Sequence, residues 1–182
     1  TSGLRSVRDK AMTYFEELLD EQFHFTKMYQ VVNSLGDLLR KVAAEDKPAL
    51  AASGLYFNLF TIVGGQLEQD KEHKLYLLYP EGNWIEIGEA TPFTIIGNSG
   101  YGTPILKRAI TYNSDIRFCI KTGFLSFDST RVSANDVGYP IDVVVYNKNT
   151  FQFDYHRYEY SDLNQISDNW ATSLRGNIDT LP

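Results

Sequence analysis

Residues 74–87 read KLYLLYPEGNWIEI, and their pattern decides the fold class. Two runs rich in aromatic and branched side chains, Lys74 to Tyr79 and Trp84 to Ile87, flank Pro80-Glu-Gly-Asn83. Pro, Gly and Asn at those places provide the backbone angles of a tight turn, so the two runs form a hairpin and the sheet they begin is antiparallel. Immediately upstream, Leu55 to Val63 is aromatic and branched up to Gly64-Gly65, which predicts a strand buried on both faces. Downstream, Phe93 to Ile96 predicts another short strand, making four in succession.

Helical spacing takes over on either side. Ser6-Val-Arg-Asp9 reads as a capping box opening a helix over 6–21, with Val7, Ala11, Phe15, Leu18 and Leu19 on one stripe. After a break at Phe23-His-Phe25, Thr26 is the expected cap of a second helix carrying Met28, Val31, Val32, Leu35, Leu38, Leu39 and Val42, with Pro48 beyond its end. Past the strands, Gly97-Asn-Ser-Gly100 leads into a helix bearing Ile105, Leu106, Ala109 and Ile110, with Pro104 tolerated in the first turn. A further helix after Asn113-Ser114 shows Ile116, Cys119, Ile120, Phe124 and Phe127. Ile141 to Tyr146 and Phe151 to Tyr155 predict a second hairpin about Asn147-Lys-Asn149, and Ser161 is the expected cap of a last helix with Ile166, Trp170 and Leu174 inward. The order is helix, helix, four strands, two helices, two strands, helix. Strands in runs rather than in strict alternation with helices argue for an α+β fold of antiparallel sheets covered by paired helices.

Composition bounds the function. A chain of 182 residues suits one domain over 1–182, and 43% hydrophobic with 22% charged residues is the mix of a globular protein. No apolar run is long enough to cross a bilayer, and TSGLRSVRDK at the start has no apolar stretch after its basic residues, so no membrane association is expected and the location is read as cytoplasmic. A net charge of −6 without basic blocks argues against nucleic acid. Cys119 is the sole cysteine and falls on an apolar helical stripe, where a thiol packs as a small hydrophobe. His24, His73 and His156 lack ligand spacing, and neighbouring Glu16 and Glu17 point in different directions on a helix, so neither a metal, a cofactor nor a paired-carboxylate site is expected.

Several words in the chain are more specific. Gly64-Gly-Gln66, Leu75-Tyr-Leu-Leu-Tyr-Pro-Glu-Gly-Asn-Trp-Ile-Glu86, Thr91-Pro-Phe93, Ile96-Gly97, Tyr101-Gly102 and Pro104-Ile-Leu106 resemble the proteasome β-subunit family, and within it the bacterial proteasome homologues called Anbu. Asp128-Ser-Thr130 followed by Gly138-Tyr-Pro-Ile-Asp142 does so too, and the resemblance covers about residues 55 to 146 in words and the whole chain in element order. It implies the N-terminal nucleophile hydrolase fold, a four-layer αββα sandwich of antiparallel sheets between helix pairs. It also implies that the family's N-terminal strands, with the catalytic threonine and its supporting aspartate and lysine, are missing before Thr1. A domain lacking them would expose a sheet edge, so the natural gene product is expected to contain them.

The chemistry of that strand is compact. An N-terminal threonine can pass its hydroxyl proton to its own α-amino group, directly or through water, and a nearby lysine favours the alkoxide by charge. The resemblance places Thr1 beside the substrate side-chain pocket, Gly3 where a backbone N–H faces the developing oxyanion, and Arg5 in the pocket for the residue before the scissile bond, where it would pair with an acidic side chain. An oxyanion donor of this kind is worth roughly 3 kcal/mol in the transition state. Asn98 and Ser99 match the loop where the family places a serine near the terminal amine. Ser133 and Asp136 match a segment where the family carries an acid followed by a hydroxyl, here in reversed order. Each has a plainer reading beside it: a glycine entering a helix, a solvated arginine, and turn or helix-end chemistry.

The function implied is a subunit of a self-compartmentalising threonine peptidase acting on peptide or protein substrates, assembled as a homo-oligomer in a ring or open spiral. The alternative is a non-catalytic structural ring subunit of the same fold. A phosphate-binding reading of Gly97 to Gly102 lacks both dinucleotide spacing and a lysine in the loop.

Overall fold

The structure, a computed structural model, describes residues 2–20 and 24–182, and the side chains of 5–20 and 24–182. They form α1 (Ser2–Asp20), α2 (Met28–Ala52), β1 (Thr61–Gly65), β2 (Lys74–Leu78), β3 (Trp84–Glu86), α3 (Thr103–Ala109), α4 (Ile116–Arg131), β4 (Ile141–Tyr146), β5 (Phe153–Tyr158) and α5 (Tyr160–Asp179). The expected α+β class holds, with two antiparallel sheets ordered β1-β2-β3 and β4-β5. The chain divides into two units: residues up to Ile87 with Asn147–Phe151, and Gly88–Tyr146 with Gln152–Pro182.

In the first unit, α2 buries Met28, Val32, Leu35, Leu39 and Val42, alternately four and three residues apart, which keeps them on one stripe. That stripe meets Val7 and Ala11 of α1 and Tyr76 and Leu78 of β2. The register Leu78↔Trp84 sets Trp84 beside Tyr76, their rings edge to face at 5.0 Å, and the Trp84 indole donates to Asn33 Oδ1 of α2 at 2.8 Å. The 79–83 turn sits tightly on α2. Gly82 has φ +78, a left-handed conformation that L side chains resist, and a Cβ on Gly36 would lie under 3.0 Å from the Gly82 carbonyl oxygen. Arg40 donates to that same carbonyl at 2.9 Å. The opposite face of the sheet carries Ile62, Leu77 and Ile85 in register, and Ile62 and Ile85 are exposed.

The second unit has a smaller core of Phe124, Ile141 and Leu163, with Val143, Tyr158 and Ile166 against it. Its hairpin also turns an apolar face outward, where Val144, Phe153 and Tyr155 are exposed. Inside this unit α4 buries polar side chains: Thr122, Ser126, Asp128 and Thr130. The two threonine hydroxyls return to carbonyls one turn back, at 2.8 and 2.9 Å, and so satisfy themselves within the helix.

Local expectations fail chiefly at element ends. α1 already runs from Ser2, so Ser6 is interior, and Asp9 pairs with Arg5 and Arg8 instead of completing a capping box. Lys27, not Thr26, precedes α2. Gln30 Oε1 accepts from the Thr26 and Lys27 amides, and Asp70 Oδ2 from the Met28 amide at 2.9 Å. Pro48 lies inside α2, which forgoes one amide bond there and continues to Ala52. Of the expected 55–63 strand only residues 61–63 pair with β2, as part of Thr61–Gly65, whose faces alternate rather than both being buried, and Phe93 to Ile96 finds no partner strand among the described residues. The last helix is capped at Glu159, two residues before the expected Ser161, with Asp162 Oδ2 accepting from the Glu159 amide at 2.8 Å, and Leu174, expected inward, is exposed. Phe23 falls outside the described residues.

Candidate functional site

The sequence-derived candidates divide between the units. Thr1 lies outside the described residues. Gly3 sits within the first turn of α1 rather than ahead of it, among the backbone N–H groups that a helix leaves without an internal partner. Arg5, with 76% of its side chain exposed, stands 3.8 Å from Asp9 one turn on, an exposed ion pair of small energetic weight.

The other four candidates belong to the second unit and lie on two loops attached to α4. Gly97 opens the first loop with φ +82, Asn98 is half-buried and Ser99 is exposed. The Ser99 carbonyl accepts from the Thr103 amide at 3.2 Å and from its hydroxyl at 2.5 Å, which ties the loop to the start of α3. Gly102 is buried at the far end of the loop, where a Cβ would fall under 3.0 Å from Ser126 Oγ and 3.2 Å from the Ser126 carbonyl oxygen. Ser99 also lines an open concavity of about 470 Å³ with Thr103, Pro104, Lys107 and Arg108.

Ser133 and Asp136, both exposed, lie on the second loop, which leaves the C-terminal end of α4. The Ser133 and Ala134 amides donate back to the Thr130 carbonyl at 3.1 and 2.8 Å, so the loop begins as an extension of the last helical turn. Ser126 and Arg131 are five positions apart on α4, a rise of roughly 7.5 Å. The roots of the two loops are therefore held at neighbouring levels of one helix. Among the described residues, the side chains of Asn98, Ser99, Ser133 and Asp136 make no hydrogen bond or ion pair with one another.

A group of residues behind the second loop escaped the sequence reading. Asp128, only 9% exposed, accepts from Arg131 Nη2 at 2.7 Å and, through its other oxygen, from Ser167 Oγ of α5 at 3.0 Å. The Arg131 guanidinium lies 5.8 Å from the ring centres of both Tyr139 and Tyr160, which meet edge to face at 5.5 Å. The bond to Asp128 raises the guanidinium pKa above its usual value, and burial raises that of the Tyr139 hydroxyl. The legible signal was the opposite charges of Asp128 and Arg131 at i,i+3 on a predicted helix. Cys119 is half-buried, with burial pushing its thiol pKa upward, while Ile116 and Phe127 of its expected stripe are exposed. Among the described residues, no group of His, Cys, Asp and Glu could hold a metal ion, and no helix is long and apolar enough to cross a membrane.

No protein-family model and no curated protein matches the chain. Solved structures do. A mutant of Anbu from Hyphomicrobium sp. strain MC1 superposes with a TM-score of 0.88 at 31% identity, over 97% of this chain and 75% of that one. Anbu from Pseudomonas aeruginosa, solved as a helical assembly of the complex, gives 0.89 at 27% identity over 97% and 76%. Anbu from Yersinia bercovieri, described as an ancestral β-subunit, gives 0.87 at 28% over the same shares. The chain thus spans about three quarters of the length of these proteins. The five helices and two antiparallel sheets of the described residues, and a match over nearly every residue at close to one identity in three, place the chain in the Anbu family of proteasome-like proteins.

Proposed function

We propose that this chain is the body of a subunit of a self-compartmentalising threonine peptidase, acting on peptides or proteins from the cytoplasm, whose nucleophile is the N-terminal threonine of a strand preceding Thr1. The single observation that carries this reading is the likeness to Anbu at 31% identity and a TM-score of 0.88. The two units would then act as one domain over 1–182.

In this reading the Gly3 amide, free of an intrahelical partner, donates to the oxyanion. Thr1 and Arg5 flank the side-chain pocket, where Arg5 would exchange its exposed pairing with Asp9 for an acidic substrate group. Asn98 and Ser99 would meet the terminal amine, and Ser133 and Asp136 would steady the threonine hydroxyl and relay its proton. Assembly into an open spiral is supported by the helical complex of the Pseudomonas protein.

The test uses the native, full-length gene product. Its mature N-terminus is determined by mass spectrometry, and hydrolysis of a panel of fluorogenic peptides is measured with and without replacement of that first residue by alanine. The expected outcome is a processed threonine followed by an alternating strand, and loss of all hydrolysis in the variant. A mature terminus without a nucleophilic side chain, on particles that still assemble, would establish the non-catalytic structural subunit instead.

A further inference from the structure

We propose that Arg131 is a positioning residue: it staples both ends of the 132–138 loop and so sets the places of Ser133 and Asp136. The inference rests on the peptidase reading for its consequence in catalysis, but not for its geometry.

The loop has seven residues and is mostly exposed, and its three polar side chains, Ser133, Asn135 and Asp136, make no side-chain hydrogen bond or ion pair among the described residues. Left to itself, such a segment samples many conformations, because nothing buried repays the ordering of its backbone. Arg131 is the residue immediately before it and Tyr139 the residue immediately after. The guanidinium of the first stands over the ring of the second at 5.8 Å, so one contact joins the two ends of the loop. That contact is itself anchored on two sides. Asp128 holds the guanidinium from within α4 at 2.7 Å and is fixed in turn by Ser167, while Tyr160 at the start of α5 presents a second ring at 5.8 Å.

Three features distinguish this arrangement from an ordinary surface pair. The carboxylate is buried, so its bond to Arg131 is shielded from solvent and screened little by salt. A planar cation placed against two rings has an orientation that a lysine ammonium cannot reproduce. Finally, Arg131 Nε is buried without a partner, an unfavourable placement for a residue serving stability alone. Replacing the guanidinium with an apolar chain of similar length removes that orphaned donor as well as the staple. It also leaves the buried Asp128 carboxylate without its cation, which lowers overall stability as well, so Tyr139→Leu, which keeps the Asp128 bond, is the cleaner measure of loop order.

The experiment compares the full-length assembled protein with Arg131→Met, Arg131→Lys and Tyr139→Leu variants, the last removing one ring in case the first fails to fold. Amide hydrogen exchange is read peptide by peptide, and peptidase kinetics are read on the fluorogenic substrate that the wild type cleaves best. R131M is expected to speed exchange across 132–138 about tenfold or more, a change in opening equilibrium confined to one segment. In that variant kcat should fall by between about tenfold and a hundredfold, as a small displacement of reacting groups does, while KM stays within about twofold. R131K should recover part of both losses, and Tyr139→Leu should follow R131M in direction.

Unchanged exchange over 132–138 in both R131M and Tyr139→Leu overturns the staple. So does exchange raised equally throughout α4, β4, β5 and α5 in Tyr139→Leu, which keeps the Asp128–Arg131 bond, because the ring contact would then be a general stabiliser. A wild type that hydrolyses none of the substrates sinks the peptidase reading separately and leaves the exchange data to decide the staple.

Discussion

The two units solve the same problem, covering one face of an antiparallel sheet with helices, by different means. In the first, nine buried residues from α1, α2 and β2 form an apolar and aromatic core, and Gln66 is the one buried polar side chain among the described residues. In the second, Phe124, Ile141 and Leu163 are the hydrophobes buried among the described residues, and α4 buries two threonines, a serine and an aspartate. Apolar burial is non-directional and tolerant of small shifts, whereas a buried carboxylate with two donors is correct in one arrangement only. The stability of the fold accordingly rests more on the first unit, and the fixed geometry of the loops on the second.

Truncating one leucine in each unit is the strongest way to break that contrast. Leu78→Ala, at a site with no exposed surface inside the larger cluster, should cost about 4 kcal/mol, and Leu163→Ala in the smaller one about 2 kcal/mol. Equal costs in urea unfolding would erase the distinction. Gly36→Ala comes next, at about 3 kcal/mol, because its Cβ meets a backbone carbonyl that Arg40 also holds. Gly102→Ala should be milder, about 2 kcal/mol, since the nearest obstacle is the rotatable hydroxyl of Ser126. Its unfolding midpoint should therefore lie between those of the wild type and the Gly36 variant.

The smallest effect concerns pH. Lys10 bonds the exposed Glu45 and holds its carboxyl below the usual carboxylate range. A folded-state pKa that is depressed adds stability above the unfolded value, about 4.3, which is lost as pH falls through the lower folded value. The melting temperature of the wild type should thus drop more steeply than that of Glu45→Gln between about pH 5 and pH 3. Parallel curves would show that solvent screens the pair completely.

Alternation and turn chemistry made the hairpin about Pro80-Glu-Gly-Asn83 readable before any coordinates, as helical spacing did for the stripe from Met28 to Val42. Helix starts were harder, because Gln30 and Asp162 cap α2 and α5 behind Lys27 and Glu159 rather than behind the usual Ser, Thr, Asp or Asn, and because Asp70 serves Met28 from 42 residues away, which no local motif announces. Phe93 to Ile96 has the composition of a strand but no neighbour to pair with, a property of topology rather than of residues. The candidate loops were locatable because Gly97 and the end of α4 punctuate them. Their support was not, since the Arg131 staple depends on Tyr139 and Tyr160 meeting across the chain.

The outward faces of both sheets have a practical consequence. Ile62 and Ile85 on one, and Val144, Phe153 and Tyr155 on the other, offer greasy patches to any probe in solution. A fluorescent dye of the anilinonaphthalene type should brighten on this chain while it is fully native, mimicking the signature of a molten globule. Dye-based melting curves would then begin from a high baseline, and the near-ultraviolet signal of Trp84, locked between Tyr76 and Asn33, is the better gauge of whether a preparation is folded.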